Sequence, residues 1–372
     1  MNARPFNPET IVIYSTGLLG GSIGLALKKS GYKGKIIGIS SPRNREIAGK
    51  LGCIDEAAGY EDLQNAVSRC DCLFLCSPIC TIIKTIEQLG KLDLPEGLLI
   101  TDVGSTKKAI VESASRHLPP HVHFTGGHPM AGSEKNGPGA SDPYLFQNAT
   151  YVLTPSGGAV SEIDRSFAVF LEKYLGCRYL FLDPAVHDTI AATVSHVPHI
   201  LAVALVCLAH DIDNQVPGTI SLAAGGFRDM TRIASAPYDM WHDILVTNKT
   251  AAEPVLDKMI SKMTELRNLL KTDSLKGPFE EAREIREKIP LTSKGFIHRL
   301  SEVLVLAKDQ PGIISSISAS LAEKNINIKD IEVLKVREGE GGTIRLAFET
   351  DAIAKEAVEI LEQRGFQARE RT

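Results

Sequence analysis

At 372 residues the chain is too long for one typical domain, and two or three are expected. With 43% hydrophobic and 23% charged residues and a formal net charge of −4, it lacks the basic surplus of a nucleic-acid binder. The opening residues Met1-Asn2-Ala3-Arg4-Pro5-Phe6 lack the apolar run of a signal peptide. No stretch is expected to reach the length of a membrane span, since the longest apolar candidate, Ile200 to Ala209, stops at His210-Asp211. The seven cysteines form no disulfide-like framework. Cys70, Cys72, Cys76 and Cys80 cluster, but lie in and around an apolar strand-like run without zinc spacing, so buried free thiols in a reducing, cytoplasmic compartment are expected and no metal.

Taken in chain order, Thr10 to Thr154 alternates short apolar runs with amphipathic stretches. Ile11–Tyr14 reads as a strand, 22–30 as a helix, and Lys35–Ile39, 72–76 and 98–101 as further strands, which predicts a parallel sheet covered by helices. From Glu162 to Ile289 the pattern is helical throughout. The stretch from Ala191 to His210 is too apolar all round for a surface helix and is expected to be buried, with a dimer interface as one burial site. Lys249 to Thr272 shows helical spacing with a charged face. Pro290 to Gly295 reads as a linker. Beyond it, 303–313 gives a strand, a turn and a helix start. Then follow a helix to Glu323, a strand over 326–337, a hairpin turn at Gly341-Gly342, a strand over 343–350, a helix over 353–363 and a short strand over 365–369. The order is βαββαβ.

The first strand runs into Ser15-Thr16-Gly17-Leu18-Leu19-Gly20-Gly21-Ser22. A glycine-rich turn between strand and helix lets backbone amides approach a pyrophosphate. Ser15 stands at the first glycine position of G-x-G-x-x-G, with Gly17 and Gly20 at the second and third. The turn reads as a dinucleotide site or as a structural βαβ corner, and its place at the start of the chain favours the first. The second strand ends at Ser40-Ser41-Pro42-Arg43, without the acid that usually binds the ribose of NAD. Arg43 or Arg45 is suited to the 2′-phosphate of NADP. Ser77-Pro78 ends the next apolar run, beside a cofactor or simply at a turn.

Gly126-Gly127-His128-Pro129-Met130-Ala131-Gly132-Ser133-Glu134 places a histidine where glycine and proline predict irregular backbone lining a cleft. Histidine accepts a proton near neutral pH. A turn with a capping histidine is the other local reading, and the two are evenly matched.

This segment resembles a signature of prephenate dehydrogenases. The resemblance extends through Asp102-Val103-Gly104-Ser105-Thr106-Lys107, Ser195-His196-Val197-Pro198-His199, and Gly225 to Ser235 with Asp229 and Arg232, and ends in a segment similar to an ACT domain around Asp309, Pro311 and Gly312. It implies an α/β chain with three domains: a dinucleotide-binding Rossmann domain in 1–158, an all-α dimerisation and substrate domain in 159–290, and an ACT regulatory domain in 298–372. The implied activity is oxidative decarboxylation of prephenate to 4-hydroxyphenylpyruvate with hydride transfer to a nicotinamide cofactor. NAD is favoured, and Ser40 with Arg43 leaves NADP open. By the same resemblance, His128 accepts the proton of the C4 hydroxyl, and Ser105 orients His128 or contacts that hydroxyl. Arg232 binds a substrate carboxylate and Asp229 orients it; His199 and Ser195 line the pyruvyl end, and Ser133 and Glu134 close the pocket. Ser15, Gly17, Leu18, Leu19, Gly20, Ser40, Arg43, Ser77, Pro78 and Asp102 contact the cofactor. Asp309, Pro311 and Gly312 meet an amino-acid effector, tyrosine, and the chain is a homodimer without nucleic-acid or membrane partners.

Other readings stand beside these. Asp229 and Arg232 also read as an exposed helix pair, His196 as structural, and the C-terminal segment as a ligand-free dimerisation module. His187, His210 and His242 carry no motif support. Arogenate dehydrogenase shares the chemistry. A β-hydroxyacid dehydrogenase would need a lysine that Ser195 to His199 lacks, and no G-x-S-x-G elbow supports a hydrolase. A catalytically silent amino-acid sensor is opposed by the joint presence of His128, Ser105 and Arg232.

Overall fold

A computed structural model describes residues 6–132, 135–288, 300–308, 310–337 and 341–371. Ser133, Glu134, Asp309 and the linker expected at Pro290 to Gly295 lie outside the described residues. The chain divides into two compact units, Met1–Asp273 and Ser274–Thr372.

In the first unit the described residues form one sheet from β1 (Thr10–Tyr14), β2 (Lys35–Ile39), β3 (Glu56–Ala58), β4 (Cys72–Leu75), β5 (Leu99–Asp102), β6 (His123–Pro129), β7 (Thr150–Pro155) and β8 (Arg178–Phe181). The order is β3-β2-β1-β4-β5-β6-β7-β8, with β6 and β7 antiparallel and the other neighbours parallel. Strand periodicity sends successive side chains to opposite faces, and both faces are buried. Ile11, Ile13, Cys72 and Phe74 join one core with Ile23 and Leu27 of helix Leu18–Lys29 and Phe167 and Leu171 of helix Glu162–Leu175. Val12, Tyr14, Leu73 and Leu75 join the other with Ile82 and Ile86 of helix Ile79–Leu89 and Ile110 of helix Lys108–His117. Each such aliphatic side chain contributes about 1.5–3 kcal/mol when fully buried.

The expected all-helical segment from Glu162 is corrected here. Helix Glu162–Leu175 packs on the sheet, and Arg178–Phe181 adds β8 beside β7. The Ser161 capping box starts that helix, and Gly176 at φ 68° ends it in the left-handed region. Gly126-Gly127-His128-Pro129 is also corrected: it lies within β6 rather than in irregular backbone. Its glycines answer to crowding, because a Cβ on Gly127 would stand 2.5 Å from the Asp102 carbonyl oxygen.

The remaining helices of this unit begin with a continuous run of 30 residues, Pro184–Asp213, containing a π turn at Ala192–His196. Its length and composition match a membrane span, which corrects the expectation that no stretch reaches one; only 33% of its most apolar window is buried within the chain. The burial expected for Ala191 to His210 is therefore incomplete in one chain: Val194, Val203, Val206 and Leu208 are exposed. The polar residues His187, Asp188, His196 and His199 of the same run are buried. Gly225–Thr231, the 3₁₀ turn Arg232–Ser235, Tyr238–Thr247 and Lys249–Lys271 complete the unit.

The second unit holds helix Lys276–Lys288 and then β9 (Ser301–Ala307), helix Ile313–Ala322, β10 (Asp330–Arg337), β11 (Gly341–Phe348), helix Asp351–Gln363 and β12 (Gln367–Glu370). The sheet order is β10-β11-β9-β12, all antiparallel. Val303, Val305, Ile344, Leu346 and Phe348 face Ile317, Leu321, Ala357 and Leu361 of the helices. Two details differ from the pattern: residues 326–329 precede β10, and Gly341-Gly342 belong to β11. Arg345 is buried on the other sheet face against Glu302 (2.8 Å), Asp330 (2.5 Å) and Glu332 (2.9 Å).

Gly20 tests how helix Leu18–Lys29 seats on β1. A Cβ there would stand 2.3 Å from the Ser15 carbonyl oxygen and 2.9 Å from Ile13 Cγ2. Gly20→Ala should destabilise by about 1–3 kcal/mol, read as a lower urea midpoint; an unchanged midpoint would show that this contact relaxes freely.

Candidate active site

The strand order turns between β1 and β4, and in such sheets ligands bind in the crevice beyond the carboxyl ends at that point. Ser15 follows β1 and Ser77 follows β4; their hydroxyls meet at 2.6 Å, with Tyr60 Oη 3.2 Å from Ser15. Ser15 has φ 74°, so the serine at the first glycine position adopts the left-handed backbone that glycine adopts at no steric cost. The mismatch costs about 1–2 kcal/mol. Gly17 caps helix Leu18–Lys29, and a Cβ added there meets nothing within 4 Å. Leu18 and Leu19 are partly exposed, and the first amides of a helix lack intrahelical partners. Ser40 is 1% exposed and its Oγ, like that of Thr16, has no partner among the described residues. Arg43 is exposed on the helix that Ser41 caps, while Arg45 lies 4.0 Å from Glu61. Pro78 caps helix Ile79–Leu89. An open cradle at Gly17 together with orphaned hydroxyls at Thr16 and Ser40 fits a dinucleotide.

Asp102 does not belong to that crevice. It is 0% exposed and its carboxylate is fully engaged by the Lys107 ammonium, the Gly104 amide (2.7 Å) and the Gly127 amide (3.1 Å). This corrects its expected role at the cofactor. Lys107, also fully buried, donates to the Gly127 carbonyl at 2.6 Å. Burial lowers its pKa, although Asp102 opposes the shift. The pair therefore fixes the backbone immediately before His128.

His128 stands near the end of β6, half-buried. Its Nδ1 lies 2.9 Å from His187 Nε2, and His187 Nδ1 lies 2.8 Å from Asp188 Oδ1. Asp188 also accepts from the Lys107 amide (2.7 Å) and the Lys108 amide (3.0 Å) at the start of helix Lys108–His117. Burial, then the neighbouring His187, Lys107 and His196, hold the His128 pKa well below the usual histidine value. The imidazole is neutral at pH 7. Ser105, expected to orient it, is partly exposed and makes no hydrogen bond to it among the described residues; His187 occupies that role in space.

Around this pair, His196 Nδ1 lies 3.0 Å from Asn248 Nδ2, which also donates to the Asp188 carbonyl at 2.8 Å. Burial lowers the His196 pKa to about 4. His199 stacks on Trp241 at 3.7 Å and its buried Nδ1 lacks a partner among the described residues. Ser195 sits within the π turn, which breaks the plain i,i+4 relation expected between it and His199. Asp229 and Arg232 are both exposed and no ion pair joins them among the described residues, because a helix ends at Thr231 and a 3₁₀ turn starts at Arg232. The expected mutual orientation is thus absent. The turn packs on the helix that carries His199. In the second unit Gly312 (φ 85°) starts helix Ile313–Ala322, with Pro311 exposed before it.

Residues 23–172 match the family model described as "Prephenate dehydrogenase, nucleotide-binding domain", 183–283 "Prephenate dehydrogenase, dimerization domain", and 301–366 "ACT domain". The prephenate dehydrogenase of Bacillus subtilis (strain 168) is 36% identical over 363 residues, covering 96% of each chain. The chain belongs to the prephenate dehydrogenase family. Among solved structures it is similar to prephenate dehydrogenase from A. aeolicus in complex with hydroxyphenyl propionate and NAD+ (29% identity, TM-score 0.68, 75% of this chain and 96% of that one). It is also similar to Synechocystis arogenate dehydrogenase (29% identity, TM-score 0.64, 75% and 99%). Membership in the prephenate dehydrogenase family makes the chain an oxidoreductase with a nucleotide-binding domain, a dimerisation domain and an ACT domain.

Sequence reasoning set His187 aside for want of a motif, missed Asp188, Asn248 and Trp241, and passed over Lys107 although it closes the Asp102-to-Lys107 motif. The adjacent acid in His187-Asp188 was the available signal. Gly17→Ala should leave the urea midpoint unchanged, since its Cβ meets no protein atom, while weakening dinucleotide binding about tenfold by calorimetry. Unaltered affinity would remove Gly17 from the cofactor site.

Proposed function

We propose that the protein converts prephenate to 4-hydroxyphenylpyruvate in tyrosine biosynthesis, using NAD, as a cytoplasmic homodimer restrained by tyrosine at its ACT domain. The observation that carries the reading is a neutral, half-buried His128 whose Nδ1 is engaged by His187, leaving Nε2 without a hydrogen bond among the described residues. Ser15, Gly17, Leu18, Leu19, Gly20, Ser40 and Ser77 would hold the cofactor, with Arg43 and Pro78 at its rim. When bound, the nicotinamide supplies the acceptor for the C4 hydride. His128 Nε2 takes the proton of the C4 hydroxyl as that hydride leaves. The C1 carboxylate departs as carbon dioxide, its bonding pair enters the ring, and His128 returns the proton to the phenolate oxygen. Arg232, exposed and without an ion-pair partner among the described residues, binds a substrate carboxylate through its planar fork. His199 and Ser195 line the pyruvyl end, and Ser105 contacts the hydroxyl. Ser133 and Glu134 close the pocket's edge, where a carboxylate also repels wrongly charged ligands. The exposed apolar residues Val194, Val203, Val206 and Leu208 support the homodimer. NAD is favoured over NADP on the similarity to the A. aeolicus enzyme in complex with NAD+, with exposed Arg43 the group that would meet a 2′-phosphate. Pro311 and Gly312, with Asp309, receive the tyrosine.

Reduced-nicotinamide formation tests the reading, with prephenate and arogenate run in parallel against NAD and NADP, without and with tyrosine. Turnover of prephenate with NAD, suppressed by tyrosine, is expected. Turnover of arogenate alone would reassign the substrate, and none with either would overturn the activity.

The pH profile follows from the lowered His128 pKa. A base with a depressed pKa stays unprotonated down to lower pH, so kcat/KM at saturating NAD should hold constant as pH falls to 6.5 and decline only below it. An acid-side inflection at or above pH 6.5 would contradict the neutral-acceptor assignment.

A further inference from the structure

We propose that His187 and Asp188 form a positioning relay that fixes His128 in the Nδ1-protonated tautomer and so presents its Nε2 lone pair to the substrate. The inference deepens the proposed function and rests on His128 being the proton acceptor. Its basis is hydrogen-bond direction. A carboxylate only accepts, so the 2.8 Å contact from Asp188 Oδ1 to His187 Nδ1 requires a proton on that nitrogen. In neutral His187 the proton on Nδ1 leaves Nε2 as an acceptor. The 2.9 Å contact to His128 Nδ1 then needs its proton from His128, which leaves His128 Nε2 bare.

The relay is anchored at its far end. Asp188 is 2% exposed and accepts the Lys107 and Lys108 amides at the start of helix Lys108–His117, where the helix dipole favours a negative charge. A charged Asp188 in turn holds the His187 proton on Nδ1. The groups facing the relay are the Lys107 ammonium, which is turned to Asp102 and the Gly127 carbonyl, and His196, whose Nδ1 faces Asn248. Neither offers His187 Nε2 a competing hydrogen bond. His187 thus touches no reacting atom and acts through His128.

Nitrogen-15 NMR of histidine-labelled, NAD-bound protein reads the tautomer directly. The native enzyme should show His128 protonated at Nδ1 with a bare Nε2. His187→Leu should shift the proton toward Nε2 and lower kcat about tenfold or more, as a wrong tautomer does in other histidine-dependent sites. Its KM for prephenate and its NAD affinity should stay within about twofold. His187→Gln, whose carbonyl reaches the place of Nε2 and accepts from His128, should recover part of the turnover and the native tautomer. A native His128 protonated at Nε2 overturns the relay, as does undiminished turnover in a folded His187→Leu. Should the leucine variant fail to fold, the native spectrum and the glutamine variant decide. His128→Asn separates the two readings. If it keeps full turnover, the acceptor assignment fails and the relay with it; if it loses turnover while His187→Leu keeps it, only the relay fails.

Discussion

The buried pair of Lys107 and Asp102 is the contact on which the geometry of the candidate site depends. Removing two charges from water costs several kcal/mol per ion before compensation, and only good geometry with added hydrogen bonds offsets it. Here the compensation is nearly complete: Asp102 takes the Gly104 and Gly127 amides, and Lys107 gives a further proton to the Gly127 carbonyl. Both the N–H and the C=O of Gly127 are thereby held, one residue before His128. Meanwhile the Lys107 main-chain amide holds Asp188. One residue thus places both ends of the histidine relay, through its side chain toward β6 and through its backbone toward helix Pro184–Ala191. An apolar pair of similar volume would fill the space but leave the polar groups of Gly127 without these partners.

The cofactor crevice shows the same division between packing and opening. Gly20 is small because protein fills the space beside it, whereas Gly17 is small beside empty space. Ser15 adopts a backbone that disfavours side chains, yet its hydroxyl spans the gap to Ser77 across the β1–β4 switch. The strain of about 1–2 kcal/mol is set against a hydrogen bond worth about 1 kcal/mol net. A serine at that position is therefore tolerable without being favourable, and it stiffens the crevice mouth.

Local periodicity made the parallel sheet and the βαββαβ order legible, since β1, β2, β4 and β5 are short apolar runs with no competing pattern. It could not reveal β8, because Arg178–Phe181 is an exposed edge strand whose pairing depends on β7. The motifs led to His128 through its neighbours, but not to His187, which lies 59 residues away and is brought to it only by tertiary packing. Apolar content marked Ala191 to His210 for burial without saying by what, for a surface covered by another subunit and one covered by the same chain leave the same trace in sequence. Spacing of three likewise suggested that Asp229 and Arg232 share a face, and failed where the helix gives way to a 3₁₀ turn between them.

The protonation states divide the work of the site. His128, His196 and His199 are all held below the ordinary histidine pKa, first of all by burial. Three uncharged imidazoles offer lone pairs and single donors, but no net positive charge with which to bind the dianionic substrate of the proposed function. That charge has to come from a group that burial does not neutralise, and a guanidinium, protonated at any physiological pH, suits the task. In the proposed function, the cation at exposed Arg232 and the acceptor at half-buried His128 keep the two demands apart. A histidine asked to bind the carboxylate would have to be charged, and a charged histidine has no lone pair left to take the hydroxyl proton.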